Sequence, residues 1–293
     1  MMSSSPEVSR SHGRRRAEPL VIDHGRAGRD LTSAIIVGAL IGATVLCSLL
    51  IMPDLYVLVV IAGVMAALWE LGAALNRTGA RVARVPAMVG GACMVVATHF
   101  GGAEALWVSF ALACGAILLW GVLERKPQAV KDVSLGIFAI GYVALLACFT
   151  VLMLEHPEGW ARVLIFLALV VASDLGGYII GIFFGKHPIA TKISPKKSWE
   201  GFAGSAVFGI GIGLWLVPWL LDGPWWIAVV LGLVMPVTAT LGDFAESMIK
   251  RDLRLKDMGT LLPGHGGVMD RLDSILPAAP VAYLLFMILP GMN

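Results

Sequence analysis

Charge is what this sequence has least of. Of its 293 residues only 14% are Asp, Glu, Lys or Arg, against roughly a quarter in ordinary soluble domains. So few charges cannot clothe a water-facing surface, which excludes a soluble globular enzyme. A hydrophobic share of 58% and a mean hydropathy of +0.83 equally exclude a disordered chain. Cysteine is scarce too. Cys47, Cys93, Cys114 and Cys148 lie singly inside apolar runs, so neither a disulfide framework nor a zinc site is expected, and they read as small buried hydrophobes. Internal repeats are missing, which gives no support to an inverted-repeat transporter. The net charge of +2 points to no nucleic-acid partner, and none is expected. What these absences leave is an all-α polytopic integral membrane protein. Helices satisfy their own backbone groups in lipid, and the apolar runs are continuous rather than alternating, which excludes a β-barrel.

Residues 1–32 are polar and arginine-rich (Arg10, Arg14, Arg15, Arg16, Arg26, Arg29) and contain no apolar stretch. They read as a basic disordered tail rather than a cleaved signal peptide, and residues 33–293 as one transmembrane domain. A span needs about 20 apolar residues. Such segments lie at about 33–52, 55–75, 86–100, 103–123, 134–154, 161–184, 202–221, 225–243 and 275–291, so about nine transmembrane helices are expected. The third is short and carries His99. Of the 22 Lys and Arg residues, 21 fall in the tail or in the loops after the second, fourth, sixth and eighth segments; Arg162 alone falls on the other side. The positive-inside rule then puts the N-terminus and those loops in the cytoplasm and the C-terminus outside. The remaining connections are too short to hold a site. Two cytoplasmic loops, about 185–201 and 244–274, are long enough to be functional.

The second loop is dense in charge: Leu241 to Ser274 holds six acids and five bases. Asp243, Ser247 and Lys250 have the spacing of one helical face, with Glu246 beside them and paired to Lys250 at i, i+4. An ordinary solvated helix end would show such pairs, but Asp243 closes an apolar run, where an unpartnered carboxylate is costly. Leu262-Pro263-Gly264-His265-Gly266-Gly267 cannot be regular helix; it is either a plain tight turn or one that offers N–H groups to an anion. Asp270 and Asp273, at i, i+3, suit either helix capping or a divalent cation. Beside Asp243 and Glu246, the cation is the better reading. Bases interleaved with these acids suit a polyphosphate and thus phosphoryl chemistry.

The pattern resembles the phosphatidate cytidylyltransferase (CDP-diacylglycerol synthase) family. Its signature is met without a gap over 247–273 by Ser247, Lys250, Arg251, Lys256, Asp257, Gly259, Pro263, His265, Gly266, Gly267, Asp270, Arg271 and Asp273. The earlier loop is similar as well: Ile193-Ser194-Pro195-Lys196-Lys197-Ser198-Trp199-Glu200-Gly201 follows the family's Ser-Pro-Lys-Lys-Thr-x-Glu-Gly, with Ser198 keeping the hydroxyl. The resemblance covers about residues 170–280. One departure stands in the sixth span. Asp174-Leu175-Gly176-Gly177-Tyr178 keeps the family's acid and tyrosine and loses a threonine, which leaves no role for that hydroxyl. Asp174 lies well inside an apolar segment and is a candidate by position; Glu70, in Trp69-Glu70-Leu71, has a weaker claim, and for each a buried structural hydrogen bond is the alternative.

The resemblance implies that CTP and phosphatidate give CDP-diacylglycerol and pyrophosphate at a cytoplasmic-face site of a bacterial inner-membrane protein, a step of phospholipid biosynthesis. It implies Mg²⁺, with room for a second cation, on Asp243, Asp270 and Asp273 helped by Glu246. Lys250, Arg251, Lys256, Asp257 and His265 would be the catalytic residues, the three bases binding phosphates and His265 touching a phosphoryl oxygen. Ser194, Lys196, Lys197, Ser247, Gly266, Gly267, Arg271 and Asp174 would bind substrate. The family's habit implies a homodimer in the bilayer. A related transferase with another lipid acceptor uses the same loops; a transporter would spread its acids through several spans, whereas here they cluster at one face.

Overall fold

The computed structural model describes residues 31–124, 128–190, 194–262 and 266–289, without the side chains of 31–35, 195 and 196. The tail, His265 and the Lys196 side chain therefore lie outside the described residues. Among the described residues the regular structure is helical apart from one small hairpin and one isolated bridge. Its elements are α1 (Leu31–Ile51), α2 (Pro53–Asn76), α3 (Arg84–Glu124), α4 (Ala129–Ala139), a π-helical turn (Ile140–Leu145), α5 (Leu146–Leu154), α6 (Gly159–Phe184), β1 (Pro188–Ala190), β2 (Ser194–Ser198), α7 (Trp199–Leu221), α8 (Trp225–Asp252), α9 (Met269–Leu272) and α10 (Ile275–Ile288). Among the described residues seven helical stretches are long and apolar enough to cross a membrane, and Ile36–Ile51 is a shorter apolar helix. The chain is a multi-pass membrane protein.

The 41 residues of α3 do not run straight. Gly102 has φ 60° and ψ −151°, outside the helical region, where the sequence has the Gly101-Gly102 connection. The packing shows a hairpin: a Cβ on Gly90 would lie 3.0 Å from Cβ of Ala113, whereas 23 residues of straight helix separate their ends by about 35 Å. At the bend, His99 Nδ1 meets Glu155 at 2.7 Å and its Nε2 meets Asp54 at 3.2 Å. These contacts tie α3 to the starts and ends of α2 and α5 at one face of the bundle. At the opposite face Asp132 accepts the Arg81 N–H at 2.8 Å, and Lys131 donates to the Thr78 carbonyl at 2.9 Å. Those bonds seat the foot of α4 on the α2–α3 loop.

Between helices in lipid, burial of apolar surface gives little net drive, so close packing through small residues matters more. The α6–α7 pair is built that way. A Cβ on Gly176 would meet the Gly204 carbonyl oxygen, and one on Gly177 would meet Ser205 Oγ. The same pair is pinned by Ser205 Oγ donating to the Ser173 carbonyl at 2.7 Å. Gly242 likewise lets the backbone around Asp273 lie directly on α8. The buried core runs through Phe166 and Leu169 of α6, Leu231 and Met235 of α8, Val151 and Met153 of α5, and Ala282 and Phe286 of α10. Large residues facing outward, such as Phe100, Leu112 and Phe183, belong to a lipid-facing surface. Exposed Trp215, Trp219 and Trp225 gather around the α7–α8 connection, the amphipathic belt expected where a helix bundle leaves the hydrocarbon.

Three points refine the sequence reading. The loop after α6 is not wholly irregular: β1 and β2 pair antiparallel there. The hairpin takes up backbone groups that neither helix end can use, and Glu200 anchors it by accepting the Lys186 and His187 N–H groups, each at 3.1 Å. The eighth segment does not end at 243. It continues to Asp252, because Glu246-to-Lys250 pairing carries the helix beyond its apolar part. The fifth contains a π-helical turn at 140–145 that no periodicity announces.

Candidate active site

The predicted residues come together at the end of the bundle that carries the β-hairpin, in two adjoining groups. The first lines a cleft of about 570 Å³ between α6, β2, the start of α7 and α8. Asp174, Gly177 and Tyr178 come from α6, Ser194 and Lys197 from β2, Gly201 from α7, and Thr240 and Asp243 from α8. Lys197 Nζ is paired to Asp243 Oδ2 and lies 5.1 Å from the centre of the Phe244 ring. Ser198 caps α7 by accepting the Gly201 N–H at 3.1 Å, which fixes β2 against the start of that helix. Asp174 accepts from Ser274 Oγ at 3.1 Å, so the first residues after α9 reach back to α6.

The second group is the signature loop itself. Lys250 Nζ stands 2.9 Å from Glu246 Oε2 and 2.8 Å from Asp270 Oδ1. The Glu246 side chain is 0% exposed and that of Asp270 7% exposed. Lys250 is thus the counter-charge for two carboxylates that have left water. Glu246 Oε1 and Oε2 have no aligned hydrogen-bond donor; the ammonium satisfies Glu246 by charge rather than by direction. Asp273 lies within electrostatic reach of Asp174, Asp243 and Glu246 and joins the two groups.

Asp270 and Asp273 both lie beside the Glu246–Lys250 pair, each with its own backbone partners. Asp270 accepts the Met258 N–H at 3.1 Å and the Gly267 N–H at 2.8 Å. The second bond returns to a residue three positions earlier and braces the loop, while the N-cap of α9 is Val268, which has no side-chain cap bond. Asp273 sits past the end of the four-residue α9, with Oδ1 accepting the Ser274 N–H at 2.8 Å. Asp270 thus meets loop N–H groups and Lys250 of α8, and Asp273 lies near Glu246 and Asp243 of the same helix. Among the remaining candidates, Arg251, Lys256 and Arg271 are exposed, and Ser247 is half-buried on α8. Gly266 has φ +82° and places Asp257 and Asp270 near its Cα; Gly267 is buried.

Among the described residues no three His, Cys, Asp or Glu side chains stand in ready-made ligating geometry. The donor chemistry nonetheless fits a hard divalent cation. Asp174, Asp243, Glu246 and Asp273 form an excess of carboxylate over ammonium, and Lys250 already draws Glu246 and Asp270 onto one positive charge.

One carboxylate matters more here than its sequence context indicates. Glu70, from the C-terminal third of α2, is 3% exposed. It accepts the Leu261 N–H at 3.3 Å and the Met269 N–H at 3.0 Å. Tyr142, in the π-helical turn, has a buried hydroxyl on the side of Glu246 and Asp273; a helix of ordinary pitch gives no signal of that placement.

Fold and site together define a multi-pass membrane protein with a helix-end acid–base cluster of the kind that handles phosphoryl groups. Residues 32–289 match the cytidylyltransferase family, and the chain belongs to it. It is 39% identical over 278 residues to the phosphatidate cytidylyltransferase of Mycobacterium bovis, covering 90% of this chain and 91% of that one. It is 37% identical over 281 residues to the phosphatidate cytidylyltransferase of Mycobacterium leprae, covering 90% of each. A relative of the same name from Brucella suis is 37% identical over 183 residues, 61% of this chain and 64% of that one.

Proposed function

We propose that this chain transfers the cytidylyl group of CTP to phosphatidate, giving CDP-diacylglycerol and pyrophosphate. The observation that carries the reading is near full-length similarity to proteins named for that reaction, together with a gapless signature. The geometry supports it. The cleft is walled by helices, where a lipid headgroup can lie, and its Asp174 and Asp243 stand near Ser274 and Asp273, just after the signature loop. Phosphatidate's phosphate has a second pKa near 6, so an oxygen of the dianion attacks the α-phosphorus without needing a strong base. The new P–O bond forms as the bond from the α-phosphorus to the oxygen bridging it to the β-phosphorus breaks, and the electron pair leaves on pyrophosphate. The barrier is charge repulsion, which positioned cations lower.

In this reading Lys197, Ser194 and Lys196 hold triphosphate or the lipid phosphate along β2, and Asp174 orients substrate from α6. Lys250, Arg251 and Lys256 neutralise phosphoryl oxygens at the end of α8. His265 touches a phosphoryl oxygen, Asp257 takes part in catalysis, and Ser247, Gly266, Gly267 and Arg271 contact substrate. Asp243, Asp273 and Glu246, with Asp270 reached through their shared lysine, would hold Mg²⁺ and leave room for a second cation. When bound, the metal supplies charge neutralisation at the transferring phosphoryl group.

In this reading the face lies on the cytoplasmic side of a bacterial inner membrane, which the Lys and Arg content of its loops supports. Counting α3 as two passes and α1 as one gives nine spans, and the protein acts as a homodimer. An acceptor panel tests the substrate. With CTP, phosphatidate is expected to be cytidylylated at least tenfold faster than an isoprenyl phosphate or diacylglycerol. Preference for the isoprenyl phosphate would move the protein to a related transferase.

A further inference from the structure

The signature loop is shaped by two carboxylates, and only one belongs to it. Going along the loop, Met258 N–H bonds Asp270, Leu261 N–H bonds Glu70, Gly267 N–H bonds Asp270, and Met269 N–H bonds Glu70. The donors alternate between the two acids. Between them Leu262 N–H bonds the Gly266 carbonyl at 3.0 Å and closes the turn. Two glycines lie against the Glu70 carboxyl group: a Cβ on Gly259 or on Gly267 would run into it. Glu70 comes from α2, 191 residues before Leu261 and 199 before Met269.

We propose that Glu70 is a positioning residue for the cytidylyltransferase site, a template against which residues 258–261 and 267–269 are held so that Asp270 and Lys250 keep their places. The inference rests on the reaction proposed above. Its mechanism is satisfaction of backbone donors: N–H groups that leave water need acceptors, and Glu70 supplies one to the part-buried Leu261 N–H and one to the buried Met269 N–H, which opens α9 and so has no acceptor within that helix. A carboxylate accepts from both; a glutamine in its place keeps one acceptor and turns an NH₂ group toward the other N–H. The glycines leave room for the acid, and the acid fixes which side of the loop faces α2. Glu70 touches no substrate in this arrangement and acts through Asp270 and Lys250.

The test uses the full chain in detergent–phosphatidate micelles, as Glu70→Gln, Glu70→Asp, Gly267→Ala and the Glu70→Asp/Gly267→Ala double variant. Hydrogen–deuterium exchange is followed by peptide mass spectrometry beside CTP kinetics. Glu70→Gln is expected to lower kcat/KM for CTP by about 100-fold, the scale of a misplaced catalytic group. Peptides covering 257–269 should exchange about tenfold faster or more, the scale of a lost buried hydrogen bond, with α6 and α7 peptides unchanged. Gly267→Ala should be equally impaired alone and partly rescued by the shorter Glu70→Asp, which makes room for the methyl group. The proposal is overturned if Glu70→Gln stays within threefold of the parent with loop exchange unchanged. It is overturned equally if exchange rises throughout α2 and α3, which marks a mere packing role, or if the double variant is no better than Gly267→Ala. Should Glu70→Gln not fold, Glu70→Asp and its double variant decide by the same two readouts. If the parent does not cytidylylate phosphatidate, the reaction assignment fails; the exchange pattern still decides the role of Glu70.

Discussion

Removing the Lys250 ammonium should cost stability, beyond any effect on chemistry. Lys250→Met keeps the aliphatic stem and deletes the charge that stands 2.9 Å from Glu246 and 2.8 Å from Asp270. Breaking a buried pair by deleting one partner costs about 3–5 kcal/mol, because the other charge stays in a poorly solvating place. Two features set the value at the low end. The Lys250 side chain is still 16% exposed, and Asp270 keeps its Met258 and Gly267 donors. The expected loss is about 3 kcal/mol. At about 2–4 °C per kcal/mol for a chain of this size, Tm falls by about 6–12 °C. Thermal unfolding in detergent, followed by tryptophan fluorescence, reads the shift. Lys250→Arg, which keeps the charge, should lose less than half as much. The decisive comparison is Glu246→Gln/Lys250→Met. With the fully buried acid neutralised, more than half of the lost Tm should return, a coupling of at least about 1.5 kcal/mol. A Tm within 2 °C of the parent for Lys250→Met, or a double variant that sums the two single effects, would refute the reasoning.

Other expectations follow from the same contacts. Lys197→Ala should raise the CTP KM about tenfold or more, the value of one charge-assisted contact. It should hardly move Tm, because the Lys197–Asp243 pair is 30% and 21% exposed and such pairs stabilise by about 1 kcal/mol or less; steady-state kinetics beside thermal unfolding separates the two. Gly204→Leu should force α6 and α7 apart and lower Tm sharply, whereas Gly211→Leu, with nothing within 4 Å of the new Cβ, should be tolerated. Chelation should abolish turnover and Mg²⁺ should restore it, with Asp243→Asn needing more Mg²⁺ for half-activation in a metal titration.

The spans are legible in the sequence because hydrocarbon thickness sets the length of each apolar run, and Gly101-Gly102 marks the bend of α3 by chemistry alone. The signature loop is legible for a different reason: charge beside a membrane demands a partner, and Glu246, Lys250 and Asp270 supply one another, while Asp243 takes Lys197 from the earlier loop. The rest was hidden by distance along the chain. Nothing in Trp69-Glu70-Leu71 shows that its carboxylate meets amides some 190 residues later; the glycines at 259 and 267 record the contact only once α2 is seen beside them. The i, i+3 spacing of Asp270 and Asp273 likewise could not tell which way each turns, because loop N–H groups, not helix periodicity, orient Asp270. The α6–α7 glycines read in sequence as unremarkable members of apolar spans, and their role appears with the partner helix.

The most direct measurement uses purified protein in phosphatidate micelles with CTP labelled at the α-phosphate. Lipid-bound label and released pyrophosphate are counted together, with and without Mg²⁺, for the parent and Asp270→Asn. The account predicts equal amounts of CDP-diacylglycerol and pyrophosphate from the parent, only with Mg²⁺, and a loss of about 100-fold or more in the variant, the scale of a lost catalytic charge. Folded parent protein that leaves the lipid unlabelled while phosphatidate and Mg²⁺ are both present would contradict it.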